Sequence, residues 1–182
     1  MLKELSGSFT LIRVQTWDLG APIPQALEDA LALEWPTTVG VVATARANPA
    51  ADHPAPIAAV ACLSPAEWLV IGAHSDAANL LPPLFTAIAE TPFRATTVAD
   101  ALARIELEGQ ASRLLLAKGC SLDLHPSRFS AGRCARTRLA GMPIVLWCLH
   151  ESAFQCIVAS SYREYLIAWL ADASLEREMT LS

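Results

Sequence analysis

Within the nine residues Lys118-Gly119-Cys120-Ser121-Leu122-Asp123-Leu124-His125-Pro126 lie a thiol, a hydroxyl, a carboxylate and an imidazole. A cysteine nucleophile needs a base to reach its thiolate, so this segment offers Cys120 paired with His125. That chemistry requires the two groups to converge at about 3 Å, and closeness along a loop does not supply it. The same residues have a structural reading. Gly119 suits the left-handed position that ends a helix, Asp123 can accept hydrogen bonds from turn amides, and His125-Pro126 redirects the chain. The structural reading is preferred, and no catalytic residue is assigned.

Other groupings are weaker. His53, His74, His125 and His150 are scattered, with no pair at i, i+4 and no carboxylate at ligand spacing, so no metal site is assigned. Glu106 and Glu108 share a strand face by the period of two, as paired carboxylates would, but two charges on the solvent side of a half-buried strand explain them more simply. Four arginines, Arg128, Arg133, Arg136 and Arg138, fall within eleven residues. They form a solvated face or, alternatively, meet an acidic partner surface or an anionic ligand. Of the five tryptophans, Trp68, Trp147 and Trp169 sit inside apolar runs. Trp17 and Trp35 lie at element ends, where a core role and a partner interface remain equally open.

The elements that must position these groups follow from periodicity. Phe9 to Trp17 alternates as a strand. A helix starting at Pro24 puts Leu27, Ala30 and Leu31 on one face. Thr38 to Ala45 reads as a strand, and the proline-rich 48–56 stretch as a loop and the best candidate for a mobile segment. Ile57 to Leu63 and Trp68 to Ile71 are strands around Ser64-Pro65. Leu81 to Glu90 is a helix burying Leu81, Leu84, Phe85 and Ile88, confined to start there by Pro82 and Pro83. Ala103 to Glu108 is a strand, and Gln110 to Lys118 a helix with Ala111, Leu114 and Leu115 inward. Cys134 to Leu139, Ile144 to Leu149 and Phe154 to Ala159 form a meander, turned at Gly141-Met142-Pro143 and His150-Glu151-Ser152. Ser161 and Glu164 form a capping box for a last helix whose stripe is Tyr162, Tyr165, Leu166, Trp169 and Leu170.

Composition bounds the function. The 182 residues are 53% hydrophobic and 17% charged, which excludes a disordered chain. A net charge of −5 argues against nucleic acid as a partner. Cys62, Cys120, Cys134, Cys148 and Cys156 form no C-x-x-C pair and read as buried, reduced thiols. No apolar run reaches the roughly 18 residues of a spanning helix, and Met1 to Thr10 lacks a signal-peptide core. A soluble, cytoplasmic protein is expected. Strand, helix, antiparallel strands and helix, occurring about twice, predict an α+β fold of two ferredoxin-like, or split β-α-β, halves with antiparallel sheets. One compact domain over 1–182 is expected, with sub-halves 1–95 and 96–175 and a flexible tail over 176–182. There is no G-x-G-x-x-G and no P-loop, so no nucleotide site is assigned.

Three blocks in order carry a family resemblance. Leu63-Ser64-Pro65-Ala66-Glu67-Trp68-Leu69-Val70-Ile71-Gly72 resembles a strand entry of the gamma subunits of heterotetrameric sarcosine oxidase. Gly119 to Pro126, with Phe129 and Arg133-Cys134-Ala135-Arg136-Thr137, is similar to that family's most characteristic block. Ser160 to Leu166, with Trp169-Leu170-Ala171-Asp172-Ala173, is similar to its C-terminal helix. The resemblance implies a fold related to the folate-binding domain of the glycine-cleavage T-protein, and assembly with alpha, beta and delta subunits. It places FAD, FMN, NAD and tetrahydrofolate in those partners, with no cofactor on this chain. It carries over no catalytic, cofactor-binding or metal-binding residue. The function it implies is that of a structural subunit in the oxidative demethylation of sarcosine to glycine, without an active site of its own. A stand-alone folate-binding relative, holding a glutamate tail with Arg133 and Arg136 beside an apolar cleft, is the alternative.

Overall fold

The computed structural model of the chain describes residues 2–4, 9–31, 33–44, 58–72 and 77–179. The elements in chain order are β1 (Leu2–Glu4), β2 (Thr10–Thr16), α1 (Gln25–Leu31), β3 (Val42–Thr44), β4 (Ala58–Ser64), β5 (Glu67–Gly72), α2 (Ala77–Ile88) and β6 (Phe93–Thr97). Then follow β7 (Leu102–Glu108), α3 (Ser112–Ala117), β8 (Cys134–Leu139), β9 (Met142–His150), β10 (Ala153–Ala159) and α4 (Arg163–Met179), the last entered through a 3-10 turn at Ser160–Tyr162. They divide into two compact units, Gly7–Ala99 and Met1–Ser6 with Asp100–Ser182. The predicted loop over 48–56 lies outside the described residues.

Each unit is built on a five-stranded antiparallel sheet. The N-terminal unit has the order β3-β4-β5-β2-β6 and the C-terminal unit β8-β9-β10-β7-β1. The two orders follow one rule. A first strand is followed by a helix and a three-strand meander that folds back beside it, then by a second helix. Dropping the outermost meander strand leaves the ferredoxin-like arrangement in each half, so the fold is α+β as expected. The position beside the first strand is filled by β6 in one unit and by β1, from the chain's start, in the other.

In the N-terminal unit alternation sends Ile12, Val14, Val60, Cys62, Trp68 and Val70 to one face, where Leu27 and Leu31 of α1 and Leu84 and Ile88 of α2 cover them. Trp68 is the centre of this core. Its ring packs edge-on to Trp35 at 6.1 Å and beside Phe93 at 6.0 Å, and its Nε1 donates to Pro36 O at 2.8 Å. Helix α2 corrects the sequence reading. It begins at Ala77, with Pro82 and Pro83 inside it, and Thr86 Oγ1 donates to Pro82 O at 2.9 Å. Leu84 and Ile88 are its buried i, i+4 pair, so Phe85, about 100° around the helix, stands 44% exposed. The side chain of Leu81 lies outside the described residues.

In the C-terminal unit Ala103, Ile105, Leu107, Ile144, Leu146, Cys148, Phe154, Cys156 and Val158 form the helix-facing side of the sheet. Leu166, Leu170 and Ala173 of α4 and Leu116 of α3 cover it. Three expectations change here. The buried pair of α3 is Ser112 and Leu116, while Leu114 is 66% exposed, because a helix of six residues buries only one i, i+4 pair. The expected capping box does not form: Ser161 lies inside the 3-10 turn Ser160–Tyr162, whose N-cap Ala159 makes no side-chain bond, and the neighbouring Ser160 Oγ donates to Asp100 O at 3.2 Å. Tyr162 and Tyr165 are exposed at the rim of the predicted stripe, Tyr165 donating to Ala140 O at 3.2 Å.

The β8–β9 turn is Ala140-Gly141, with φ of 51° and 81°, the two positive values a tight two-residue hairpin requires. Met142 and Pro143 therefore belong to β9 rather than to the turn. Leu139 pairs with Met142, which leaves Pro143 opposite Arg138, where β8 does not call on its missing N–H.

Candidate functional site

The segment Cys120–Arg133, which joins α3 to β8, is held by a residue that the sequence does not flag. Arg113, in the first turn of α3, donates from Nη1 to Leu124 O at 2.5 Å and to Phe129 O at 3.0 Å. Its Nε donates to Glu151 O at 3.0 Å, and Nη2 lies 3.6 Å from Cys148 Sγ. Its guanidinium also stacks 4.9 Å from the centre of the Phe154 ring. A planar fork with several donors can tie two points of a loop to a hairpin turn at once, which a lysine cannot. Leu124 and Phe129, 6% and 4% exposed, anchor the same loop in the core. The available signal was a lone arginine in an otherwise Ala/Leu helix turn, and it gives no hint of its partners.

Between these anchors lie the residues singled out for chemistry. Asp123 Oδ1 accepts from His125 N at 3.0 Å, so its expected role in the turn holds. His125 Nδ1 is 2.8 Å from Ser127 Oγ and accepts from Ser127 N at 3.3 Å, with the ring at the surface. Cys120 points the other way: it is 8% exposed and its Sγ lies 3.5 Å from Thr137 Oγ1. The structure therefore does not bring Cys120 and His125 into a hydrogen-bonded pair. All five cysteines are free and buried. Burial raises the thiol pKa of Cys62, Cys148 and Cys156. For Cys156, which also faces Cys120, it reaches about 12. At Cys148 the neighbouring Arg113 only partly opposes that rise.

Gly119 is required for a reason other than the one expected. The positive-φ glycines are Gly40, Gly109, Gly132 and Gly141, so Gly119 holds no left-handed cap. A Cβ at Gly119 would instead come within 2.6 Å and 2.7 Å of the Trp169 ring and 3.0 Å of Ala140 N. Close approach of α4 to the loop excludes any side chain.

The four arginines stand on this loop and on the strand it feeds. Arg136 and Arg138 share a face of β8, the edge strand of its sheet, and both are exposed. Arg138 Nη1 donates to Gly141 O at 3.2 Å. Arg128 is exposed and Arg133 half-exposed, and neither guanidinium has a hydrogen-bond or ion-pair partner among the described residues.

The remaining candidates disperse. Trp35, 2% exposed, is core, which removes it as an interface anchor; Trp17 is 72% exposed. Glu106 is half-buried and Glu108 exposed on one face of β7. His150 is exposed, and His53 and His74 lie outside the described residues. A cleft of about 550 Å³ opens beside Trp35, Pro36, Thr38 and Val41, and one of about 460 Å³ lies between Gly109–Ser112 and Leu170–Ser174. Neither includes Arg133 or Arg136.

Two ferredoxin-like repeats of this topology place the chain in a recognisable fold class. Glycine cleavage system aminomethyltransferase T from Bartonella henselae superposes on 93% of this chain and 44% of its own, with a TM-score of 0.65 at 11% identity, a likeness of fold alone. A chain of the heterotetrameric sarcosine oxidase from Corynebacterium sp. U-96, solved with pyrrole 2-carboxylate, matches more closely. The TM-score is 0.82 at 30% identity, over 97% of this chain and 84% of that one. The model of the sarcosine oxidase gamma subunit family matches residues 20–176, and the chain belongs to that family. The sarcosine oxidase subunit gamma of Corynebacterium sp. (strain P-1) is 32% identical over 83% of this chain and 69% of its own length. That of Corynebacterium sp. (strain U-96) is 34% identical over 65% of this chain, a match spanning 57% of the relative's length. Among the described residues no helix is long and apolar enough to cross a membrane.

Proposed function

We propose that this chain is a structural, non-catalytic subunit of a heterotetrameric sarcosine oxidase, a cytoplasmic enzyme that oxidatively demethylates sarcosine to glycine. Its partners in this reading are alpha, beta and delta subunits, which hold the FAD, FMN, NAD and tetrahydrofolate sites. The observation that carries the reading is the match over 97% of the chain to one subunit of a heterotetrameric sarcosine oxidase. The dispersal of Cys120 and His125 into separate hydrogen bonds supports the non-catalytic part. A buried thiol with a buried neighbour, and an imidazole spent on a turn, lack the nucleophile–base geometry.

Co-expression with the other subunits and isolation from native cells test it. The expected result is a large complex containing this chain and absorbing near 450 nm. Cys120→Ala and His125→Ala are expected to retain wild-type turnover of sarcosine. A colourless, isolated species of about 20 kDa would overturn the assembly role, and loss of turnover in an assembled Cys120→Ala complex would overturn the non-catalytic one.

A further inference from the structure

We infer that the tip of the connection between α3 and β8 is a pH-sensitive catch: neutral His125, with its ring proton on Nε2, holds Ser127 through Nδ1, and a second ring proton releases the Ser127 amide. The amide fixes the tautomer. Ser127 N donates to His125 Nδ1 at 3.3 Å. A backbone N–H can only donate, so Nδ1 carries a lone pair and no hydrogen. Ser127 Oγ, 2.8 Å from the same nitrogen, then donates to it as well. A neutral imidazole has one N–H, and this arrangement leaves it on Nε2.

A proton added at Nδ1 acts differently on the two bonds. The Ser127 hydroxyl can rotate and accept from the new N–H. The amide cannot reverse its role, because its hydrogen would face that of the imidazolium, and it turns to water instead. The catch is closed above the range in which an imidazole titrates, ordinarily about pH 6.5, and opens as pH falls through it. The charges around it are Asp123, whose Oδ1 accepts from His125 N at 3.0 Å, and Arg128, exposed and next after Ser127. From α3, Arg113 reaches Leu124 O and Phe129 O. From the β9–β10 turn, Glu151 meets Arg113 through its main-chain oxygen, and both Glu151 and His150 are exposed. These charges move the pH at which the catch opens, not the bond that is lost. The opening is confined to the tip. Arg128 N and Phe129 N donate to His125 O at 2.8 and 2.9 Å, a carbonyl that ring protonation leaves unaltered, and Arg113 clamps the loop on either side.

Nuclear magnetic resonance on the isotopically labelled full chain tests it, between about pH 8 and about pH 5. Long-range proton–nitrogen correlation at the upper end is expected to show His125 with its hydrogen on Nε2 and none on Nδ1. Amide exchange is then followed, each rate taken relative to an unstructured peptide at the same pH. Protection of the Ser127 amide is expected to fall by about three- to tenfold as His125 titrates, the factor that loss of one neutral hydrogen bond carries. The Phe129 amide is expected to keep its protection. In His125→Asn the side-chain oxygen stands where Nδ1 stood, accepts from the same amide and does not titrate in this range. That variant is expected to hold Ser127 equally at both ends of the titration. A hydrogen on Nδ1 at about pH 8 overturns the inference. So does Ser127 protection that is unchanged while the wild-type ring titrates, a fall shared by Phe129, or a fall that survives in His125→Asn.

Discussion

Replacing Arg113 by alanine should loosen one loop while leaving the sheet beneath it standing. The substitution removes two part-buried bonds, to Leu124 O and Phe129 O, and the contact with Phe154. Each such bond from a charged donor, taken at the low end because both are only part-buried, is worth about 1.5 kcal/mol net, and the ring contact about 0.5–1 kcal/mol. The bond to Glu151 O is solvent-exposed and adds little. The expected loss is therefore about 4 kcal/mol, which at a urea slope of about 2 kcal/mol per molar lowers the midpoint by about 2 M. Arg113→Lys keeps the charge but cannot reach both carbonyls, so it should recover less than half of the loss. Hydrogen exchange locates the effect: the amides of Arg128 and Phe129, now protected by His125 O, should exchange faster. A midpoint shift below about 0.5 M, or a lysine variant as stable as wild type, would refute the fork as the tether.

Gly119→Ala forces a methyl against the Trp169 ring and should cost about 1–3 kcal/mol by overpacking; the cost should shrink in a Trp169→Leu background, as a double-mutant cycle would show. Leu116→Ala should lose about 2–5 kcal/mol and Leu114→Ala less than about 0.5 kcal/mol in urea titrations, and the reverse order would mean that α3 is rotated. The Cys156 thiol has its pKa raised from 9.0 to about 12 by burial, so the unfolded chain loses that proton first as pH rises. Its contribution is fully present below about pH 9 and declines by about 1.4 kcal/mol per pH unit from there toward 12. Cys156→Ala should flatten the alkaline arm of the stability–pH profile accordingly, and an unchanged slope would contradict the burial.

What was legible in the sequence was whatever local periodicity determines. Alternation places β8 from Cys134 to Leu139, and the 3.6-residue repeat anchors α1 by Leu27 and Leu31, because each pattern encodes which side faces a core. The halves were legible for the same reason, since each is a run of such patterns. Features fixed by a partner distant in sequence were not. β1 is three residues whose strand character comes from pairing with β7, more than 100 positions away, Leu2 opposite Leu107 and Glu4 opposite Ile105. Gly119 looked like a helix terminator because glycine has two uses, left-handed backbone and close approach, and only the position of Trp169 distinguishes them. The Ser161–Glu164 pattern fits a capping box, but a 3-10 turn at Ser160–Tyr162 displaced the geometry the box needs. At the candidate site, the thiol and imidazole were visible and their divergence was not. Arg113 was invisible because a backbone carbonyl acceptor leaves no mark in a sequence.

The shared topology of the two units shows where they have diverged. In each, one long connection runs from the first strand, through a helix, to the outermost meander strand: Trp17–Val41 in the first unit and Gly109–Arg133 in the second. In the N-terminal unit that connection turns inward. Trp35 closes over Trp68, with Glu28 Oε1 accepting from Trp35 N at 2.9 Å, and the path is spent on packing. In the C-terminal unit the equivalent path is pinned from beneath by Arg113 and turns outward, presenting His125, Ser127 and Arg128 to solvent and delivering Arg133 to the edge strand. The rigid base of the second connection follows from folding alone, because Arg113, Leu124 and Phe129 fix the loop backbone beneath the exposed Arg128.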